Sequence, residues 1–136
     1  MKKYVFLLLA IALFTGCSKK STNSNAYSNS LQLGTGIDAN NPFNLTGVGT
    51  TFYANTTIYF RLESADDQGG SSITLQIKNT DGSTYKTFTY TNVQSSGHIF
   101  LSNFLIPDPG NYTATGIIVN GNKTVASTSF TIVASK

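Results

Sequence analysis

Ile58-Tyr59-Phe60-Arg61-Leu62-Glu63 and Ile73-Thr74-Leu75-Gln76-Ile77-Lys78 decide the fold class. In both, aliphatic or Phe residues occupy every second position, the period of an extended strand that buries one face. Tyr59, Arg61 and Glu63, like Thr74, Gln76 and Lys78, then fall on the opposite face. Downstream of residue 17 no stretch carries apolar residues at the three- and four-residue spacing of an amphipathic helix. Asp81-Gly82 and Asn120-Gly121 supply residues that tolerate positive φ where hairpins need it. Further strands are expected at 46–53, 84–91, 98–105, 111–119 and 124–133, with an extra edge strand near 31–37. Seven or eight short strands with regular turn signals predict an antiparallel β-sandwich over 31–136.

The composition agrees. The chain has 136 residues, of which 11% are charged, less than half the roughly 25% usual in globular proteins. Ser, Thr and Asn together make up about a third of it, which disfavours a charged helical bundle and suits Thr-rich strands. One Cys excludes an internal disulfide framework and any Cys-based zinc site.

The N-terminus is an address rather than part of the fold. Lys2 and Lys3 precede an unbroken apolar run from Tyr4 to Phe14, long enough for a secretory signal and too short to span a bilayer. The run ends in Leu13-Phe14-Thr15-Gly16-Cys17, which resembles the lipobox of bacterial lipoproteins. The resemblance implies a signal peptide over 1–16 and a diacylglyceryl-modified Cys17 as the first mature residue, anchoring the protein to the lipid bilayer without spanning it. Residue Ser18, directly after the cysteine, is unlike the aspartate that holds many lipoproteins at an inner membrane, so the same resemblance implies the outer membrane. Loss of Lys2 and Lys3 with the signal brings the net charge from +3 to about +1, and nucleic acid is not an expected partner. Residues 17–30, rich in Ser, Asn and Lys, read as the lipidated residue and a flexible tether with a reach of roughly 20 Å.

A second resemblance sharpens the sandwich. Asp108-Pro109-Gly110-Asn111-Tyr112-Thr113-Ala114 resembles the immunoglobulin-type Asp-x-Gly-x-Tyr-x-Cys stretch, with Ala114 in place of the cysteine. It implies an Ig-like, fibronectin type III-like domain in which Asp108, Gly110 and Tyr112 form a tyrosine corner, the hydroxyl bonding back across the turn.

Material for chemistry is scarce. His98 is the only imidazole, and a nucleophilic triad or a metal site would have to be built around it. Asp66-Asp67, in a Gly-rich turn, reads as a solvated loop rather than a calcium site. Gly34-Thr35-Gly36-Ile37-Asp38-Ala39 has the glycine spacing of a dinucleotide fingerprint, but Asn40-Asn41-Pro42 follows where a helix N-terminus would be required. No catalytic residue, metal or cofactor is expected.

What remains is surface recognition. With Tyr112, Ala114, Gly116 and Ile118 inward, Ile117 and Val119 face outward and are expected to meet Val125 across the Asn120-Gly121 hairpin as a candidate partner face. Tyr59 with Arg61, and Tyr85, are candidate aromatic contacts. The tether should leave from the end that carries the loops around Asp66–Gly70 and Asn120–Asn122. Together these features suggest a non-enzymatic recognition or adhesion module at the envelope surface with an unknown protein or glycan ligand. The alternative is a periplasm-facing accessory subunit docked on a larger envelope complex or enzyme.

Overall fold

The computed structural model describes residues 27–91 and 97–135. The signal peptide and Cys17 lie outside the described residues. Ten strands form in order: β1 Ser30–Gly34, β2 Gly36–Ile37, β3 Leu45–Thr46, β4 Thr51–Tyr53, β5 Thr57–Glu63, β6 Ile73–Asn79, β7 Thr84–Tyr90, β8 Ile99–Leu105, β9 Gly110–Ile118 and β10 Lys123–Val133. No helix occurs among the described residues.

The strands build two layers. One sheet has the order β1-β5-β8, the other β4-β10-β9-β6-β7, and β2 pairs with β3 in a small hairpin of its own. All pairings are antiparallel except β4 on β10, which is parallel. The alternation read from the sequence sets the layers face to face. Ile58, Phe60 and Leu62 on β5 and Ile73, Leu75 and Ile77 on β6 are all fully buried. Phe60 lies at the centre of an aromatic cluster, its ring centroid 5.3 Å from Tyr90, 5.7 Å from Phe100 and 6.2 Å from Phe104. Phe104 in turn meets Phe88 at 5.6 Å and Phe130 at 6.0 Å across the layers. At such spacings tilted and edge-on rings add specific attraction to the burial of their area.

Three expectations need correction. The strand expected over 46–53 is broken into β3 and β4, because Gly47 takes φ +57° as the chain leaves the β2–β3 hairpin for the five-stranded sheet. The expected edge strand near 31–37 divides at Thr35 into β1 and β2. The tether ends before residue 30: Ser30 is already in β1, and the three residues before it are held. Tyr27 stacks on His98 with centroids 4.2 Å apart, the Ser28 N–H donates to Glu63 Oε1 at 2.8 Å, and the Ala65 N–H donates to Asn29 Oδ1 at 2.8 Å. The Ser28 bond, with help from Arg61, holds the Glu63 carboxyl below its ordinary range.

These contacts put the N-terminal segment against the β5–β6 loop, as anticipated. The same end carries the β9–β10 hairpin, where the Asn120 N–H donates to Ser71 Oγ at 3.0 Å and Lys123 pairs with Asp66. Positive φ at Gly121 and Asn122 closes that hairpin, and Gly82 serves the β6–β7 turn in the same way.

Gly116 leaves space for a side chain of the facing sheet. A Cβ there would overlap the side chain of Leu62, which is itself fully buried. Gly116→Ala should therefore destabilise the fold by about 1–3 kcal/mol through overpacking. Chemical denaturation measures the loss, and the companion change Leu62→Val should restore part of it.

Candidate functional site

The end of the sandwich opposite the tether has a shallow open depression of about 380 Å³ on the outer side of the five-stranded sheet. It is built where β9 begins and β10 ends. Asn111 and Thr113 alternate outward with the inward Tyr112, and Ser129 and Thr131 alternate outward with the inward Phe130. Thr50 and Thr80 complete the rim.

Its polar groups are partly paired with one another. Thr131 Oγ1 donates to Asn111 Oδ1 at 2.8 Å, and Thr113 Oγ1 lies 3.4 Å from Ser129 Oγ. One row further along the same face, Thr115 Oγ1 and Ser127 Oγ are 2.8 Å apart. The inward rings of Tyr112 and Phe130, 5.6 Å apart, are buried beneath the depression. No carboxylate, imidazole, thiol or amine lines the depression. Hydroxyl and amide groups of this kind donate and accept hydrogen bonds, and none can act as a general acid or base near neutral pH.

Tyrosines brace the site from behind. The Tyr112 hydroxyl donates to the Asp108 carbonyl at 3.0 Å, and the Tyr85 hydroxyl donates to the Asp108 carboxylate, so one aspartate ties β7 and β9 together. The Tyr85 and Tyr112 rings are 5.1 Å apart. The hydrogen bond to Asp108 pushes the Tyr85 phenol up to about 12, and burial pushes Tyr90 up to about 12 as well. Burial also raises Tyr112. Gly110 belongs to this corner because a Cβ there would crowd the Tyr112 ring at 3.1 Å.

The other sequence-derived residues scatter. Val125 does not join Ile117 and Val119 on a partner face. It is buried, with 7% of its surface exposed, because a β-bulge between Thr124 and Ala126 leaves it unpaired and turns it into the core. Ile117 is half-buried, and Val119 lies exposed at the tether end. Tyr85, expected as an aromatic contact, is likewise not on the outer face. A bulge between Ile77 and Lys78 pairs Lys78 with Thr84 and Ile77 with Lys86, and the Tyr85 ring packs on the edge of the core.

Tyr59 and Arg61 do lie together on the outer face of the three-stranded sheet. There Arg61 is ion-paired with Glu63 at 2.6 Å, and its Nε donates to the Phe43 carbonyl at 2.8 Å. The Asp66-Asp67 loop packs beside His98, with the Gln68 N–H donating to the Gly97 carbonyl at 2.8 Å. His98 Nδ1 lies 3.0 Å from the Ser64 carbonyl. Among the described residues no cluster of His, Cys, Asp and Glu is arranged to hold a metal ion.

The depression itself had a signal in the sequence: Thr113-x-Thr115 and Ser127-x-Ser129-x-Thr131 are hydroxyls at strand period. That the two series stand side by side follows from the pairing of β10 with β9.

Residues 1–18 match the family model of the prokaryotic membrane lipoprotein lipid attachment site. The chain is a lipid-anchored bacterial envelope lipoprotein. No curated protein matches it. The lipoprotein is thus held to its membrane through Cys17, while its depression lies at the far end of the sandwich from the side where the tether joins.

The tyrosine brace makes a spectroscopic prediction. A phenol whose pKa is raised by folding contributes stability that is complete below its ordinary value near 10 and is lost as pH rises through the folded value near 12. Absorbance titration should show two tyrosines ionising near pH 12, with denaturation-midpoint loss across the same window. Asp108→Asn should bring one of them, Tyr85, back toward 10.

Proposed function

We propose that the lipoprotein is a non-enzymatic recognition module of the cell envelope whose Ig-like sandwich binds a hydroxyl-rich, uncharged ligand, a glycan, in the depression formed by Asn111, Thr113, Ser129 and Thr131. The observation that carries this reading is the lining itself: neutral hydrogen-bonding side chains fixed on two adjacent strands. Side chains on paired strands hold their spacing, so little ordering is required on binding, and sugar hydroxyls match both donors and acceptors. Tyr112, whose phenol burial holds above its ordinary range, is the one titratable side chain in the lining, and with no carboxylate, imidazole, thiol or amine beside it the lining favours binding over catalysis.

The Ig-like reading is supported by the packing of β1-β5-β8 on β4-β10-β9-β6-β7 and by the Tyr112 to Asp108 hydrogen bond. Ser18 after the lipidated cysteine favours the outer membrane. Presentation of the depression away from the tether favours a ligand met outside the anchoring membrane.

Binding of the purified lipoprotein to immobilised glycans is the test. Each of Asn111→Ala and Thr131→Ala should weaken binding about two- to tenfold, the range of one net hydrogen bond. Thr89→Ala, on the distant edge strand, should leave it unchanged. If the wild type retains no glycan, while crosslinking on cells joins it to a single larger envelope protein, the accessory-subunit alternative replaces this one.

A further inference from the structure

The two outer faces of the sandwich differ in chemistry. On the five-stranded sheet Thr74, Gln76 and Lys78 of β6 stand beside Thr113 and Thr115 of β9, a polar surface. On the three-stranded sheet the outward positions of β8 are Ile99, Leu101, Asn103 and Leu105, and Tyr59 lies opposite Asn103 on β5. Leu105 is 40% exposed. The β2–β3 hairpin folds over the same face. It crosses at Gly34, where even a Cβ would come within 2.6 Å of the Thr46 carbonyl, and the Phe43 carbonyl is held by Arg61. This hairpin segment carries Ile37 and Phe43, 43% and 45% exposed. Arg61 and Glu63 on the face neutralise each other, which leaves Asp38, beside Ile37 on the hairpin, as the charge there outside that pair.

The anchor leads directly to this face. Ser28 is bonded to Glu63, whose cross-strand neighbours are Ser30 on β1 and Ile99 on β8. Residues 17–26 separate the lipidated cysteine from Tyr27. Ten residues can span at most about 35 Å, no more than the length of an 11-residue strand such as β10 at about 3.3 Å per residue. The face is therefore never further from the bilayer than the sandwich is long, and its local concentration at the membrane is high enough for a modest apolar contact to hold.

We infer that the lipoprotein rests on its own membrane through the outer face of the three-stranded sheet, with Ile37, Phe43 and Leu105 in the interfacial layer. Aromatic and aliphatic side chains favour that layer over water, while Asp38 and the Asn residues of the hairpin stay at its polar edge. The Thr-rich face and the depression then point away from the bilayer. The contact is apolar rather than electrostatic, so it persists at high salt.

The acylated full-length chain in vesicles of three parts phosphatidylethanolamine to one part phosphatidylglycerol provides the test. Its only cysteine, Cys17, is consumed by the lipid, so a nitroxide can be placed at one introduced thiol. Labels at Phe43→Cys and Leu105→Cys should be severalfold less accessible to a water-soluble relaxation agent than a label at Thr115→Cys. The shielding should be independent of protein density and of salt. Adding Ile37→Ser and Phe43→Ser should abolish it at the Leu105→Cys label. Equal accessibility at all three sites, or shielding at Thr115→Cys instead, overturns the inference. Shielding that appears only at high protein density also overturns it and assigns the face to a second copy of the chain.

Discussion

The contact between Phe60 and the aromatic rings around it is the constraint on which the rest of the structure depends. Phe60 is fully buried, and its neighbours Tyr90, Phe100 and Phe104 come from two strands of different sheets. With a single pair of layers and few charges, this chain has one core to hold it, and burying a Phe contributes about 1.5–3 kcal/mol. Once Phe60 faces inward, strand alternation forces Tyr59 and Arg61 outward, and the pairing of β5 with β1 and β8 extends that choice across the sheet. The opposite sheet answers with Leu75 and Gly116, the latter leaving room for Leu62. Both outer surfaces are consequences of this packing.

How much of this could be read from the sequence depended on whether the period of two ran uninterrupted. In β5, β6 and β9 it does, and the inward and outward residues of all three fall as the alternation requires. In β7 and β10 a bulge adds one residue, and beyond it every side chain changes face relative to a straight count. Tyr85 and Val125 sit at those bulges, which is why one joined the tyrosine brace and the other the core. Nothing in the local sequence distinguishes a bulged from a regular strand when Thr and Ser occupy the neighbouring positions. The apolar outer face was obscured differently. Ile99-Phe100-Leu101 is apolar at both parities, so alternation cannot tell which side is buried. The polar depression needs residues from β9 and β10 in known register, information that exists only once the strands are paired.

At the anchored end, polar residues do the work that apolar ones do elsewhere. Ser64, Gln68 and Ser71 are buried there, and Gln68 Nε2 donates to the His98 carbonyl at 2.9 Å. Ser71 in turn receives the Asn120 N–H, and Glu63 receives that of Ser28. These bonds join the β5–β6 loop, the β9–β10 hairpin and the N-terminal segment into one fixed end. The clamp fixes where on the sandwich the tether joins. In the proposed orientation the apolar face lies toward the membrane and the hydroxyl-rich face toward the ligand.

The central claim is that this orientation serves recognition outside the cell. Protease accessibility of an epitope placed after Lys136, compared on intact and permeabilised cells, tests it most directly, with Cys17→Ala as the anchoring control. Digestion on intact cells, lost from the cell fraction in the Cys17→Ala variant, is the result this account requires. Protection until the envelope is permeabilised would contradict it and would turn attention to a docking partner on the periplasmic side.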